Sequence, residues 1–158
     1  MTAKEYLQSV KDADTDIKRM IEDLNMMRET MYSIQGVQIG GDRVQTSLTG
    51  GAKFEGTFLK IDEKERQIQQ KINDLIDFKL KVSEQISGLK NPTHKRVLHM
   101  RYLQFKKWYD IGVEMGYKVD EERRSCGALV RYLHPEALKA FEAKYHDMLQ
   151  EMGDEQSV

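Results

Sequence analysis

The chain has 158 residues, of which 39% are hydrophobic and 32% charged, and its formal net charge is −1. That balance fits a folded helical protein with a modest core and excludes a disordered polyelectrolyte. No apolar run approaches the roughly 20 residues that span a bilayer. The opening MTAKEYLQSVKDAD also lacks a signal-peptide core, so neither a membrane role nor export is expected. The one cysteine, Cys126, excludes an internal disulfide framework and suits a reducing cytoplasm.

The first predicted element is a long amphipathic helix. Ala3, Val10, Ile17, Leu24 and Met31 recur every seven residues, and Tyr6, Ala13, Met20, Met27 and Ile34 follow each of them by three. This is an a/d seam along one helix face, with mostly charged and amide side chains between. The stretch Gln35–Lys53 ends it, because its five glycines disfavour a helix interior.

A second seam runs through Phe54, Ile61, Ile68, Leu75, Val82 and Leu89, with Phe58, Ile72, Phe78 and Ile86 widening the stripe. Two such helices flanking a glycine-rich loop predict an antiparallel coiled-coil hairpin over residues 1–90, with the loop at 35–53. A two-helix unit leaves apolar edges, so a homodimer or higher homo-oligomer is expected.

Asn91-Pro92 closes the second helix and opens a third over Thr93–Leu103, with Val97, Leu98 and Tyr102 on one face. After the QFKK linker, Trp108–Met115 reads as a short helix, with Gly112 permitting the close approach of a crossing helix and Gly116 as its left-handed stop. A further helix is expected to start near Asp120 and to turn Leu129, Val130 and Leu133 inward. Gly127 falls inside that helix, at a cost of about 1 kcal/mol relative to Ala. Pro135 forces either a kink or a new helix that begins with the proline in its first turn. That last helix carries Glu136, Leu138, Phe141, Tyr145 and Leu149, and residues 151–158 form an acidic tail.

A short helix, a glycine turn and a longer basic helix make the helix-turn-helix pattern. The charge distribution agrees. Residues 92–145 hold 11 Lys/Arg against 7 Asp/Glu, net +4, whereas residues 1–91 are net −1 and 146–158 net −4. The candidate nucleic-acid contacts are Lys95, Arg96, Lys106, Lys107, Arg123, Arg124, Ser125, Arg131 and Tyr132. Thr93 and His94 are further phosphate contacts on this reading. The acidic run Asp120, Glu121 and Glu122 suits a helix start but repels phosphate.

The segment NPTHKRVLHMRYLQFKKWYDIGVEMGY resembles region four of bacterial sigma factors, and VRYLHPEALKAF resembles the end of the recognition helix there. The chain as a whole, through MTAKEYL, GDRVQTS, the second long helix and Pro92–Phe141, resembles the ArpU/RinA-like transcriptional regulators of phages and prophages. The resemblance implies an all-α protein, a coiled-coil hairpin followed by a sigma-like helix-turn-helix over residues 91–150. It implies a cytoplasmic activator of late, packaging or lysis genes in a bacterial host, with double-stranded DNA as partner, RNA polymerase as a second candidate partner, and no enzymatic activity. Two departures stand out: the passage from MGY to the recognition helix is long, and Pro135 stands where the family often has a small residue. The rival reading is a DNA-recognition or assembly protein of phage DNA packaging, like a small terminase subunit.

No motif points to catalysis or a cofactor. His94, His99, His134 and His146 lack a metal-ligand spacing, and there is no CxxC, HExxH or phosphate-binding glycine loop. No cofactor and no metal are expected.

Overall fold

A computed structural model of the chain describes residues 1–36 and 49–155. The GDRVQTS segment Gly41–Ser47, the side chains of Ile34 and Phe54, and the last residues of the acidic tail lie outside the described residues. Among those described, the protein is all-helical, and its one strand-like feature is an isolated bridge between Asp120 and Ser125.

Helix α1 covers Ala3–Gly36 and α2 covers Thr49–Ser87. The second helix thus starts before Lys53, with Gly50 and Gly51 in its first turn. Helix α3, Pro92–Leu98, runs directly into a π turn, His99–Leu103. Helix α4 is Trp108–Met115, as the sequence indicates. The next helix is entered at Gly127, passes through a second π turn at Leu129–Leu133, and continues as α5, His134–Lys144. Helix α6 is His146–Glu155, so the single terminal helix expected is in fact two. Tyr145, at φ −117° and ψ 29°, leaves the helical region and divides them.

The chain forms two compact units, which cut across both long helices. One is Asp14–Leu75; the other joins Met1–Ala13 to Ile76–Val158. In the unit Asp14–Leu75, Leu24, Met31, Ile61 and Ile68 form a buried cluster with Met20, Met27 and Ile72 half-buried against it. The seam positions are therefore those that close. Phe58, expected to widen the stripe, is 56% exposed, because two helices cover only the narrow line between them. Ion pairs of Arg28 with Glu65 and of Lys64 with Asp23 link the two helices; at this exposure they add little stability.

The unit built from Met1–Ala13 and Ile76–Val158 holds the larger core. Tyr6, Leu7 and Val10 of α1 are fully buried, as are Val82 and Ile86 of α2, Val97 and Leu98 of α3, Ile111 of α4, and Leu129 and Phe141 further on. The Tyr6 hydroxyl donates to Gln85 Oε1 at 2.9 Å, and its ring meets Phe78 edge-on at 5.6 Å and stacks with Phe141 at 6.2 Å. The Tyr145 hydroxyl donates to the Gln85 carbonyl at 2.8 Å. The C-terminal helices thus close the core that the ends of α1 and α2 begin.

Asn91 and Pro92 start α3 as their chemistry requires. The Asn91 side chain accepts the Thr93 N–H at 2.9 Å, and Pro92 occupies the first turn, where an N–H has no helical partner. The chain leaves the following π turn through Phe105 at φ +56°, while the Lys106 N–H returns to the Met100 carbonyl at 3.0 Å.

Candidate nucleic-acid interface

Helix α4 ends at Gly116, whose φ of +76° is the left-handed stop that a glycine allows at least cost. One turn earlier, Gly112 is buried with no room for a side chain. A Cβ there would stand 2.7 Å from Val119 Cγ1 and 2.8 Å from Cys126 Cβ. The close approach expected at Gly112 is therefore made to Val119 and Cys126. Cys126 is wholly buried, with Sγ 3.5 Å from the Lys118 carbonyl, and has the packing of a small apolar residue.

The expected helix start near Asp120 is not what forms. Asp120 and Ser125 exchange backbone hydrogen bonds of 2.8 and 3.2 Å, closing residues 120–125 into a turn. The Asp120 side chain accepts the Arg123 N–H at 2.9 Å, the bond that would begin a helix, but Arg124 turns left-handed at φ +46° and stops it. Helix resumes only at Gly127. The connection after α4 thus spans residues 116–126, well beyond the few residues of a tight helix-turn-helix. Gly127 lies in the first turn with open space around its Cα, so the interior glycine cost does not apply.

Arg123, Arg124 and Ser125 consequently sit on the turn and not on the following helix. Arg123 is exposed, with Nε 3.9 Å from Asp120 Oδ2. The Arg124 guanidinium lies 4.7 Å from the centre of the Tyr109 ring. The Tyr109 hydroxyl donates to Glu121 Oε2 at 2.8 Å, a bond that holds its pKa above the usual value. Ser125 is half-buried.

The helix that follows is different. Arg131 is exposed and Tyr132 is 68% exposed, and neither has a side-chain partner among the described residues. Leu129 is fully buried. Val130, expected to face inward, is 41% exposed. Val130 directly follows the inward Leu129 and so points sideways; across the π turn the inward face passes from Leu129 to His134, five residues on, and Val130, Arg131 and Tyr132 are exposed.

On the preceding elements, Lys95 is half-buried and Arg96 exposed. Both line a cleft of about 370 Å³, with His99, Gln104 and Glu114 among its walls. Arg96 Nη2 donates to the Glu114 carbonyl at 3.2 Å, and Lys106 Nζ pairs with the Glu114 carboxylate. Lys107, the residue before α4, is exposed and unpaired among the described residues. The nine candidate residues therefore differ in pairing: Lys107, Arg131 and Tyr132 are exposed and unpaired among the described residues, whereas Arg96, Lys106, Arg123 and Arg124 have partners. His94 is largely buried. Its Nε2 lies 4.0 Å from Glu136 Oε2, and its Nδ1 has no hydrogen-bond partner among the described residues.

Two constellations escape the periodicity of the sequence. The Arg101 guanidinium lies 4.6 Å from the Trp108 ring centre and donates to the Lys106 carbonyl at 2.9 Å, so it braces the entry to α4. Behind it, the Tyr102 hydroxyl and His134 Nε2 are 2.8 Å apart, and the His134 ring meets Trp108 edge-on at 4.7 Å. Burial, with Arg101 and Lys4 adding to it, pushes the His134 pKa down to about 4. Burial likewise pushes the Tyr102 hydroxyl up to about 12. The pair is neutral and structural. RYL recurs at 101–103 and 131–133, both within π turns, but His134 lies outside both copies, so the pair has no signal in the sequence pattern.

Among the described residues no group of three or more His, Cys, Asp or Glu is placed to hold a metal ion, and no helix is long and apolar enough to cross a membrane. What the fold and the surface define is an all-helical protein with exposed cationic side chains on a compact group of short helices. The chain matches no protein-family model, no curated protein and no solved structure.

Proposed function

We propose that this protein is a DNA-binding regulator of transcription, of the kind its resemblance to the ArpU/RinA-like phage regulators implies. On this reading α4 and the helix entered at Gly127 act as a helix-turn-helix with an extended turn, and the latter is the recognition helix. The observation that carries the reading is the pairing of Leu129, fully buried, with Arg131 and Tyr132, exposed and without side-chain partners among the described residues. A helix anchored on one side and presenting a guanidinium and a phenol on the other has the chemistry of groove recognition, where Arg meets phosphates or guanine edges.

Lys95 and Lys107, unpaired among the described residues, supply phosphate contacts, while Lys106, neutralised by Glu114, contributes less. Helices α1 and α2 form the coiled-coil hairpin. Met20, Met27 and Ile72, only half-buried along the seam, favour self-association into a dimer. RNA polymerase is the further partner expected of an activator of late genes.

The test is selection of duplexes from a random library by the purified protein, followed by binding of the recovered sequence to the wild type and to Arg131→Ala. Enrichment of one sequence and weaker binding by the variant are expected. Failure to enrich any duplex overturns the proposal, and equal binding of a recovered duplex by both proteins at several salt concentrations overturns the recognition role of Arg131.

A further inference from the structure

We infer that Pro135 is a positioning residue for DNA recognition: it holds the π turn Leu129–Leu133 open, and the open turn is what turns Tyr132 outward beside Val130 and Arg131. This rests on the DNA-binding reading and deepens it.

The physical chain begins with the proline. Inside an α-helix its ring crowds the carbonyl four residues back, here that of Arg131, and it offers that carbonyl no N–H. The backbone does not break. Leu133 and His134 keep helical angles of −65°, −43° and −66°, −47°, and the relief is taken upstream, where the His134 N–H reaches back five residues to Leu129. Such a wide turn accommodates one extra residue, and π bulges of this kind recur at functional sites.

The consequence lies in the register. Leu129, His134, Ala137 and Phe141 are all buried. Steps of three and four place residues on one helix face, so the step of five from Leu129 to His134 is the extra residue made visible. A regular α-helix anchored at Leu129 would turn Leu133 inward and bring Tyr132, three residues on, closer to the core. With the wide turn, Val130 is 41% and Tyr132 68% exposed, and Arg131 stands between them. A methyl-bearing, a cationic and an aromatic side chain are thus presented side by side. Together they match what a major groove offers: thymine methyl groups, guanine acceptor edges and backbone phosphates.

The π turn at His99–Leu103 is a useful contrast. It lies at a helix end, is followed by the left-handed Phe105, and buries its tyrosine, Tyr102. Only the turn capped by Pro135 lies within a continuing helix and points its tyrosine outward.

The experiment uses the full-length protein and, as probe, the duplex recovered from the random library by the wild type, with a scrambled duplex of equal length as reference. Three variants are measured: Pro135→Ala, Tyr132→Ala and Arg131→Ala. Pro135→Ala restores an N–H and removes the crowding, so the protein is expected to fold with an unchanged or higher Tm. Its affinity for the selected duplex is expected to fall about tenfold, while that for the scrambled duplex changes less than about twofold. Tyr132→Ala, at an exposed position, should show the same pattern without any effect on Tm. A Pro135→Ala protein that keeps its preference for the selected duplex, beside an Arg131→Ala protein that loses it, overturns the positioning role and leaves DNA recognition standing. Failure to recover any duplex overturns both.

Discussion

The Tyr102 hydroxyl and His134 Nε2, 32 residues apart in sequence, stand 2.8 Å from each other in the core. One closes the helix that Pro92 opens, and the other lies at the far end of the second π turn. Their hydrogen bond, covered by Trp108, ties the π turn that follows α3 to the start of α5.

Stability should depend on pH through this histidine. The folded state holds its pKa near 4, below the 6.5 of an unperturbed imidazole. The unfolded chain therefore takes up a proton between those values that the folded chain refuses. The contribution is complete above pH 6.5 and is lost as pH falls toward 4. His134→Gln, which keeps a polar side chain but does not titrate, should flatten the dependence of Tm on pH in this window. Equal slopes for the two proteins would remove His134 as the cause. Tyr102→Phe leaves the imidazole without its partner and should cost about 1–3 kcal/mol at neutral pH by urea denaturation.

Two glycines should respond oppositely to alanine. At Gly112 a Cβ would overlap Val119 and Cys126, and overpacking of a tight contact costs about 1–3 kcal/mol, more than the helix propensity gained. At Gly127 nothing lies within 4 Å, so Gly127→Ala should be neutral or stabilising by up to about 1 kcal/mol. Chemical denaturation of the pair measures both, and a neutral Gly112→Ala would contradict the close approach of α4 to Cys126.

Phe141 joins α5 to the ring of Tyr6 and is wholly buried. Phe141→Ala should cost about 3–5 kcal/mol. Loss of only a few tenths would mean that the C-terminal helices are not part of that core.

Duplex binding should be steeply salt-dependent, with about six phosphate contacts giving a log–log slope near −5. Lys107→Ala and Arg131→Ala, at cations without partners among the described residues, should each reduce that slope by about one. Lys106→Ala should change it less, because Glu114 already neutralises the ammonium. Titration by fluorescence anisotropy at several salt concentrations separates these cases, and equal slopes for all three would refute the assignment of contacts.

The sequence by itself determined the elements whose cause is local or periodic. Residues spaced by seven were buried where expected, at Val10, Leu24, Ile61, Ile68 and Val82, because a helix repeats its face regardless of what lies opposite. Asn91-Pro92 and Gly116 fixed helix ends through their own backbone chemistry. What only the tertiary structure decided lies between Gly116 and Pro135. There the Asp120–Ser125 bridge outcompeted a helix start, and the wide turn before the proline moved the next inward position from Leu133 to His134. Both outcomes depend on backbone partners several residues away and on which face the surrounding core accepts, and neither is written in the spacing of apolar residues. The same holds for Tyr102 and His134, whose polarity tolerates burial only because the fold brings each to the other.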